Sequence, residues 1–135
     1  MSYAHITIAT TNVAATATFL QEALGYTRAP RPANSPAETV WLALGHDQQM
    51  HIVHVDGFMT SAFEGEFGRH IAVRQPLSAF ATVKRTLERL GAEVFPPLRP
   101  SAVERFFFRE PINGYVFEVV DQDGGAAISA MTTDD

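Results

Sequence analysis

The sequence predicts an α+β fold built from two tandem βαβββ modules, each with one curved sheet and one helix, enclosing a central cavity. Three observations carry that prediction. The order strand, helix, strands occurs twice along 135 residues. Residues recur at matched places: His5 with His70, Leu24-Gly25 with Leu90-Gly91, Glu38 with Glu104 and His51 with Glu118, at offsets of 65, 66, 66 and 67 residues. Finally, the stretch from Arg105 to Asp121 reads as a hairpin, with an aromatic run, a turn holding Pro111, Asn113 and Gly114, and a second apolar run.

The elements follow in chain order. Residues 3–9 alternate as a strand, with His5 and Thr7 on one face and Ile6 and Ile8 on the other. Asn12 is a good N-cap for a helix over 13–24, where Val13, Ala17, Leu20 and Leu24 share one stripe and Gly25 supplies the stop. The Pro-rich segment 26–37 allows at most an edge strand at 26–29. Strands at 39–44 and 49–55, joined by a turn, complete module one (1–56). A glycine-punctuated linker, 57–68, carries Phe58, Phe63 and Phe67 and is expected to pack on something. Module two (69–121) opens with the strand Gly68-Arg-His-Ile-Ala-Val. Pro76 then starts a helix with the stripe Leu77, Phe80, Val83, Leu87 and Leu90, ended by Gly91. A short strand at 92–95, a Pro-rich loop at 96–100 and the hairpin follow, so 1–121 forms a single domain. Residues 122–135 are small, polar and acidic and are expected to be a flexible tail.

Composition excludes several classes of function. Formal net charge is −5 and the basic residues are scattered, so nucleic acid is not an expected partner. There is no cysteine, hence no thiolate ligand or nucleophile, and any metal must be held by His and carboxylate. With no signal-like N-terminus and no apolar run of membrane-spanning length, the expected location is the cytoplasm, away from the membrane.

The chemistry concentrates at the repeat-matched polar residues. Glu118 sits inside Tyr-Val-Phe-Glu-Val-Val, where an unpaired carboxylate is costly to bury and requires a cation. His5 and His70 open the first strands of the two modules, and His51 lies in the last strand of module one as the counterpart of Glu118. His51 and His54 have opposite parity, so only one faces the cavity, and the repeat selects His51. Imidazole and carboxylate suit Fe, Zn, Ni, Co or Mn, and four matched polar positions are hard to explain as independent accidents. His46 and His54 read as solvated or structural, and Glu64 and Glu66 as a solvated acidic face. Arg105 and Arg109 are candidate clamps for an anionic substrate, with Phe107 in the cavity wall.

These residues resemble the vicinal oxygen chelate superfamily, which includes glyoxalases, bleomycin-resistance proteins and extradiol dioxygenases. The resemblance spans residues 3–121 and rests on the His-Ile-Thr-Ile-Ala strand, the Phe-Leu-Gln-Glu-Ala-Leu-Gly-Tyr helix end, Gly68-Arg-His-Ile-Ala-Val, and Glu110-Pro-Ile-Asn-Gly-Tyr-Val-Phe-Glu. It implies paired βαβββ modules, a homodimer and a divalent metal ligated at His5, His51, His70 and Glu118. The turn has one extra residue before Gly114, and His51 stands where glyoxalase-like members usually carry Glu or Gln. The function implied is a small metal-dependent lyase, isomerase or oxygenase acting on a small molecule with vicinal oxygens, with His51 as a fourth ligand or catalytic base. The alternative is a non-catalytic small-molecule or antibiotic-binding protein.

Overall fold

The computed structural model describes residues 3–123. The chain divides into two compact units that meet in sequence at Met59 and Thr60. Each carries one four-stranded mixed sheet and one helix.

In the first unit, β1 (His5–Thr10) leads into α1 (Val13–Leu24), followed by β2 (Thr27–Ala29), β3 (Val40–Gly45) and β4 (Gln48–His54). The sheet order is β1-β4-β3-β2, with β1 parallel to β4 and the other neighbours antiparallel. Asn12 caps α1 as expected: its extended backbone stops the helix pattern and its side chain accepts from the Ala15 N–H at 3.0 Å. Thr10, buried at the end of β1, bonds Thr16 on α1 at 2.8 Å and ties strand to helix. Gly25 closes the helix in the left-handed conformation that Cβ-bearing residues disfavour. Leu20, Leu24, Leu42, Met50 and Ile52 are buried in this unit, so α1 and one face of the sheet make its core. His46 and Asp47 both adopt positive φ in a two-residue turn between β3 and β4, the geometry that matches the twist of a hairpin.

The second unit repeats the plan with β5 (Ile71–Gln75), α2 (Phe80–Arg89), β6 (Glu93–Phe95), β7 (Arg105–Arg109) and β8 (Val116–Asp121), in sheet order β5-β8-β7-β6. Its helix starts later than the sequence pattern suggests. Pro76 precedes a 3-10 turn at Leu77–Ala79 and the α-helix begins at Phe80, which leaves Leu77 half exposed and the packed stripe as Phe80, Val83 and Leu87. The aromatic run splits by parity. Phe106 meets Phe80 of α2 edge-on at 5.1 Å and Phe108 stacks on Phe117, whereas Phe107 belongs to the opposite face, beside Phe95 and His70. Glu110 holds the hairpin turn together: its buried carboxylate accepts from the N–H groups of Ile112, Asn113 and Tyr115.

Residues 60–68, read from sequence as part of a linker, are fastened to the second unit. Thr60 donates to the Asn113 carbonyl, and Glu64 accepts from the Val116 N–H. The phenylalanines do not make this attachment, since Phe63 and Phe67 are 76% and 73% exposed. The acidic residues do. Glu64 and Glu66 have almost fully buried side chains, at 2% and 7% exposure, so the expected solvated acidic face is corrected here: both carboxylates meet arginines and backbone N–H groups inside the unit. The expected tail lies for the most part outside the described residues.

Candidate functional site

In the first unit, strand register puts His5, Thr7, Trp41 and His51 on the sheet face opposite α1, because Ile8, Leu42, Met50 and Ile52 occupy the packed face. The rings of His5 and His51 stack with centroids 4.0 Å apart, and Trp41 stacks on the other side of His51 at 3.8 Å. His51 is thus clamped between two flat neighbours and buried, while His5 is exposed. His51 Nε2 lies 2.8 Å from Oε1 of Gln49, which is an acceptor, so Nε2 carries the hydrogen and the lone pair falls on Nδ1. Burial, and then the neighbouring His5, push the His51 pKa below its ordinary 6.5, and the ring is neutral at pH 7.

His54 goes elsewhere, as parity requires. It lies on the α1 side of the sheet, in a cleft of about 370 Å³ with Asn12, Arg28, Glu38 and Val40. Its two ring nitrogens meet different carboxylates, Glu38 at 3.1 Å and Asp56 at 2.6 Å. The hydrogen bond to Asp56, outweighing partial burial and helped by the charges of Glu38 and Asp56, raises its pKa. Opposed nitrogens cannot converge on one ion.

In the second unit, Glu118 lies on the face of β8 turned away from α2, opposite Phe107 of β7. Its buried carboxylate has two partners. Arg105 Nη1 donates to Oε2 at 2.8 Å, and His70 Nε2 lies 3.4 Å from Oε1. His70 is oriented by its other nitrogen, since Nδ1 lies 3.1 Å from the Gly65 carbonyl, which can only accept. Nδ1 therefore holds the hydrogen, and a neutral ring directs the Nε2 lone pair at a carboxylate oxygen. Two acceptors so placed require a positive charge between them, a proton on the imidazole or a bound cation.

Arg105 is itself shared. Its Nη2 donates to Glu66 Oε2 at 3.2 Å and to the Arg99 carbonyl at 2.7 Å, and its guanidinium lies over the Phe107 ring. Glu66 in turn accepts from the N–H groups of Leu98 and Arg99 at 2.7 and 3.0 Å. Burial opposes its ionisation, but these donors and Arg105 outweigh it and hold the carboxyl below the usual 4.5. One guanidinium thus faces two carboxylates, which leaves the cluster one negative charge in excess when His70 is neutral. Gly68 is needed nearby: a Cβ there would lie 1.8 Å from the Phe63 carbonyl oxygen that receives the Arg69 N–H.

The sequence-predicted residues are thereby placed within two groups, His5 with His51 and His70 with Glu118. Among the described residues no three His, Asp or Glu side chains within one group have ligand spacing. The donor chemistry of His70 and Glu118 nonetheless fits a cation: an imidazole oriented by a backbone carbonyl, and a carboxylate with one oxygen held and the other facing the ring, are the usual attributes of ligands. Arg105 and Arg109 use their terminal N–H groups within the chain, Arg109 on the carbonyls of Gly114 and Glu64, and Phe107 is fully buried. From sequence Glu66 reads as solvated, and Trp41 is not singled out. Acidic loop residues usually face water, and nothing in the pattern signals that this one meets Arg105. Trp41, the second residue of β3 and paired in register with His51, could have been found by parity.

The fold so described, two units each with one mixed sheet and one helix, is consistent with the paired modules that the sequence resemblance implies. No family model matches the sequence, and no curated protein matches it. Similar solved structures include a possible glyoxalase from Bacillus cereus, 18% identical, with a TM-score of 0.66 over 89% of this chain and 98% of that one. The fosfomycin resistance protein FosX from Mesorhizobium loti is 16% identical, with a TM-score of 0.69 over 94% and 97% of the two chains. A variant of FosX from Listeria monocytogenes, complexed with Mn(II) and 1S,2S-dihydroxypropylphosphonic acid, is 20% identical, with a TM-score of 0.65 over 88% of each chain. At such identities the likeness establishes the fold.

Proposed function

We propose that the chain is a small divalent-metal-dependent enzyme that polarises a substrate bearing adjacent oxygens, as a lyase or isomerase or as an oxygenase. The observation that carries this reading is the pair formed by His70 Nε2 and Glu118 Oε1, 3.4 Å apart, with His70 Nδ1 turned to the Gly65 carbonyl. His70 and Glu118 would hold the ion. A bound Fe, Zn, Ni, Co or Mn ion supplies Lewis acidity toward a substrate oxygen. The Mn(II) and vicinal diol in the similar FosX complex support both the ion class and the substrate class.

The chain's own groups supply proton handling. His51 is neutral, has Nε2–H engaged by Gln49 and keeps a lone pair on Nδ1, so it suits a general base near pH 7. The stack with His5 and Trp41 fixes the plane of that ring and covers its faces. A small-molecule substrate and a homodimeric assembly complete the proposal.

A second reading has its own observation. Arg105 satisfies Glu118 Oε2 within the chain, which favours a non-catalytic small-molecule or antibiotic-binding protein whose carboxylate is held by an arginine. Elemental analysis of protein purified without added metal separates the two. Stoichiometric iron supports an oxygenase, nickel, cobalt or zinc supports a lyase or isomerase, and no metal even after reconstitution supports the binder. Glu118→Ala is expected to lower metal occupancy more than His54→Ala; equal occupancy in both contradicts the assignment.

A further inference from the structure

Glu66 has no role in the readings above, yet its side chain is buried and every polar contact it makes leads to the Glu118 cluster or to the loop beside it. We infer that Glu66 is a positioning residue whose negative charge sets the affinity of the His70 and Glu118 pair for a divalent cation. The inference rests on the metal-dependent reading proposed above.

The argument is one of charge and geometry. Arg105 contacts Glu118 at 2.8 Å, and a lone guanidinium there would neutralise the carboxylate and repel a second cation arriving at Oε1. Glu66, 3.2 Å from the other terminal nitrogen, offsets that charge. The Arg105 and Glu66 pair is then nearly neutral, and Glu118 keeps its own negative charge. The same contact fixes direction. With Nη2 tied to Glu66 and to the Arg99 carbonyl, Nη1 is aimed at Oε2 of Glu118, and Oε1 is the oxygen left facing His70. Glu66 itself is anchored by the Leu98 and Arg99 N–H groups, so the arrangement does not depend on a free side chain finding its place.

The test is the dissociation constant for Mn(II), measured by titration calorimetry on the full chain, together with the unfolding midpoint of each variant. Glu66→Gln keeps an acceptor for the two N–H groups and removes the charge, and it is expected to weaken Mn(II) binding about tenfold. Glu66→Asp keeps the charge and is expected to stay within about threefold of the wild type, well inside the range such outer residues control. If Glu66→Gln is too unstable to measure, Glu66→Asn, which matches Glu66→Asp in shape but lacks the charge, is expected to bind Mn(II) more weakly than Glu66→Asp, and equal constants in those two variants overturn the inference. An unchanged constant in Glu66→Gln, or Glu66→Asp as weak as Glu66→Gln, overturns the inference and leaves the metal reading standing. Mn(II) binding that is absent in the wild type, or indifferent to His70→Ala, removes the metal reading and the inference with it.

Discussion

Arg105 is the residue on which the second unit's polar interior depends. It compensates Glu66 and Glu118 while its own side chain is 5% exposed, so its removal leaves two buried carboxylates without their cation. Breaking a buried pair by deleting one partner costs about 3–5 kcal/mol. Arg105→Met is therefore expected to lower the unfolding free energy by about that amount, measured by the denaturant midpoint, whereas a loss within about 0.5 kcal/mol, the level of an ordinary surface change, contradicts the description of the cluster. Two histidines offer an independent check. The His51 pKa is depressed, so the unfolded chain binds that proton more readily and the His51 contribution disfavours folding as pH falls through 6.5. The His54 pKa is raised, so its stabilisation is complete below 6.5 and is lost as pH rises through the folded value. In an NMR titration of the imidazoles, His54 is expected to lose its proton at higher pH than His51; the reverse order contradicts the two environments.

At the scale of elements, the hairpin from β7 to β8 is set by a buried anion as much as by turn residues. Glu110 receives three backbone N–H groups of the segment that follows it, and the Glu110 N–H itself bonds the Tyr115 carbonyl. Glu110→Ala would leave those donors without their acceptor, and a loss of about 3 kcal/mol is expected from thermal unfolding. An unchanged midpoint would mean that Pro111, Asn113 and Gly114 suffice. α1 is less demanding: Asn12→Ala is expected to remove about 1 kcal/mol, the worth of one N-cap. What the sequence revealed of these elements follows from periodicity. The span of α1, the parity of His51 and His54 and the division of the three phenylalanines are all consequences of a repeat of 3.6 or 2, and all are seen in the structure. The start of α2 was misjudged, because Pro76 suits both a first helical turn and a 3-10 turn, and local pattern does not separate them. The fates of Glu64 and Glu66 were hidden for a different reason. Their partners lie up to 52 residues away, and pairing over such distances leaves no local trace.

For the whole molecule, the repeat announced two similar units and the structure contains two, each with the same order of strands and helix. Matched positions nevertheless hold different chemistry. His51 is sandwiched between flat rings and bonded to an amide, whereas its counterpart Glu118 is bonded to a guanidinium. No helix among the described residues is long and apolar enough to cross a membrane. The account's central claim is that the gap between His70 and Glu118 accommodates a cation, and the ¹⁵N resonances of the His70 imidazole report on it directly. On titration with Zn(II), the Nε2 resonance is expected to shift with saturation while Nδ1 remains protonated toward Gly65, and Glu118→Ala is expected to abolish the shift. A His70 Nε2 resonance unmoved by Zn(II), with changes only at His46 or His54, would contradict it.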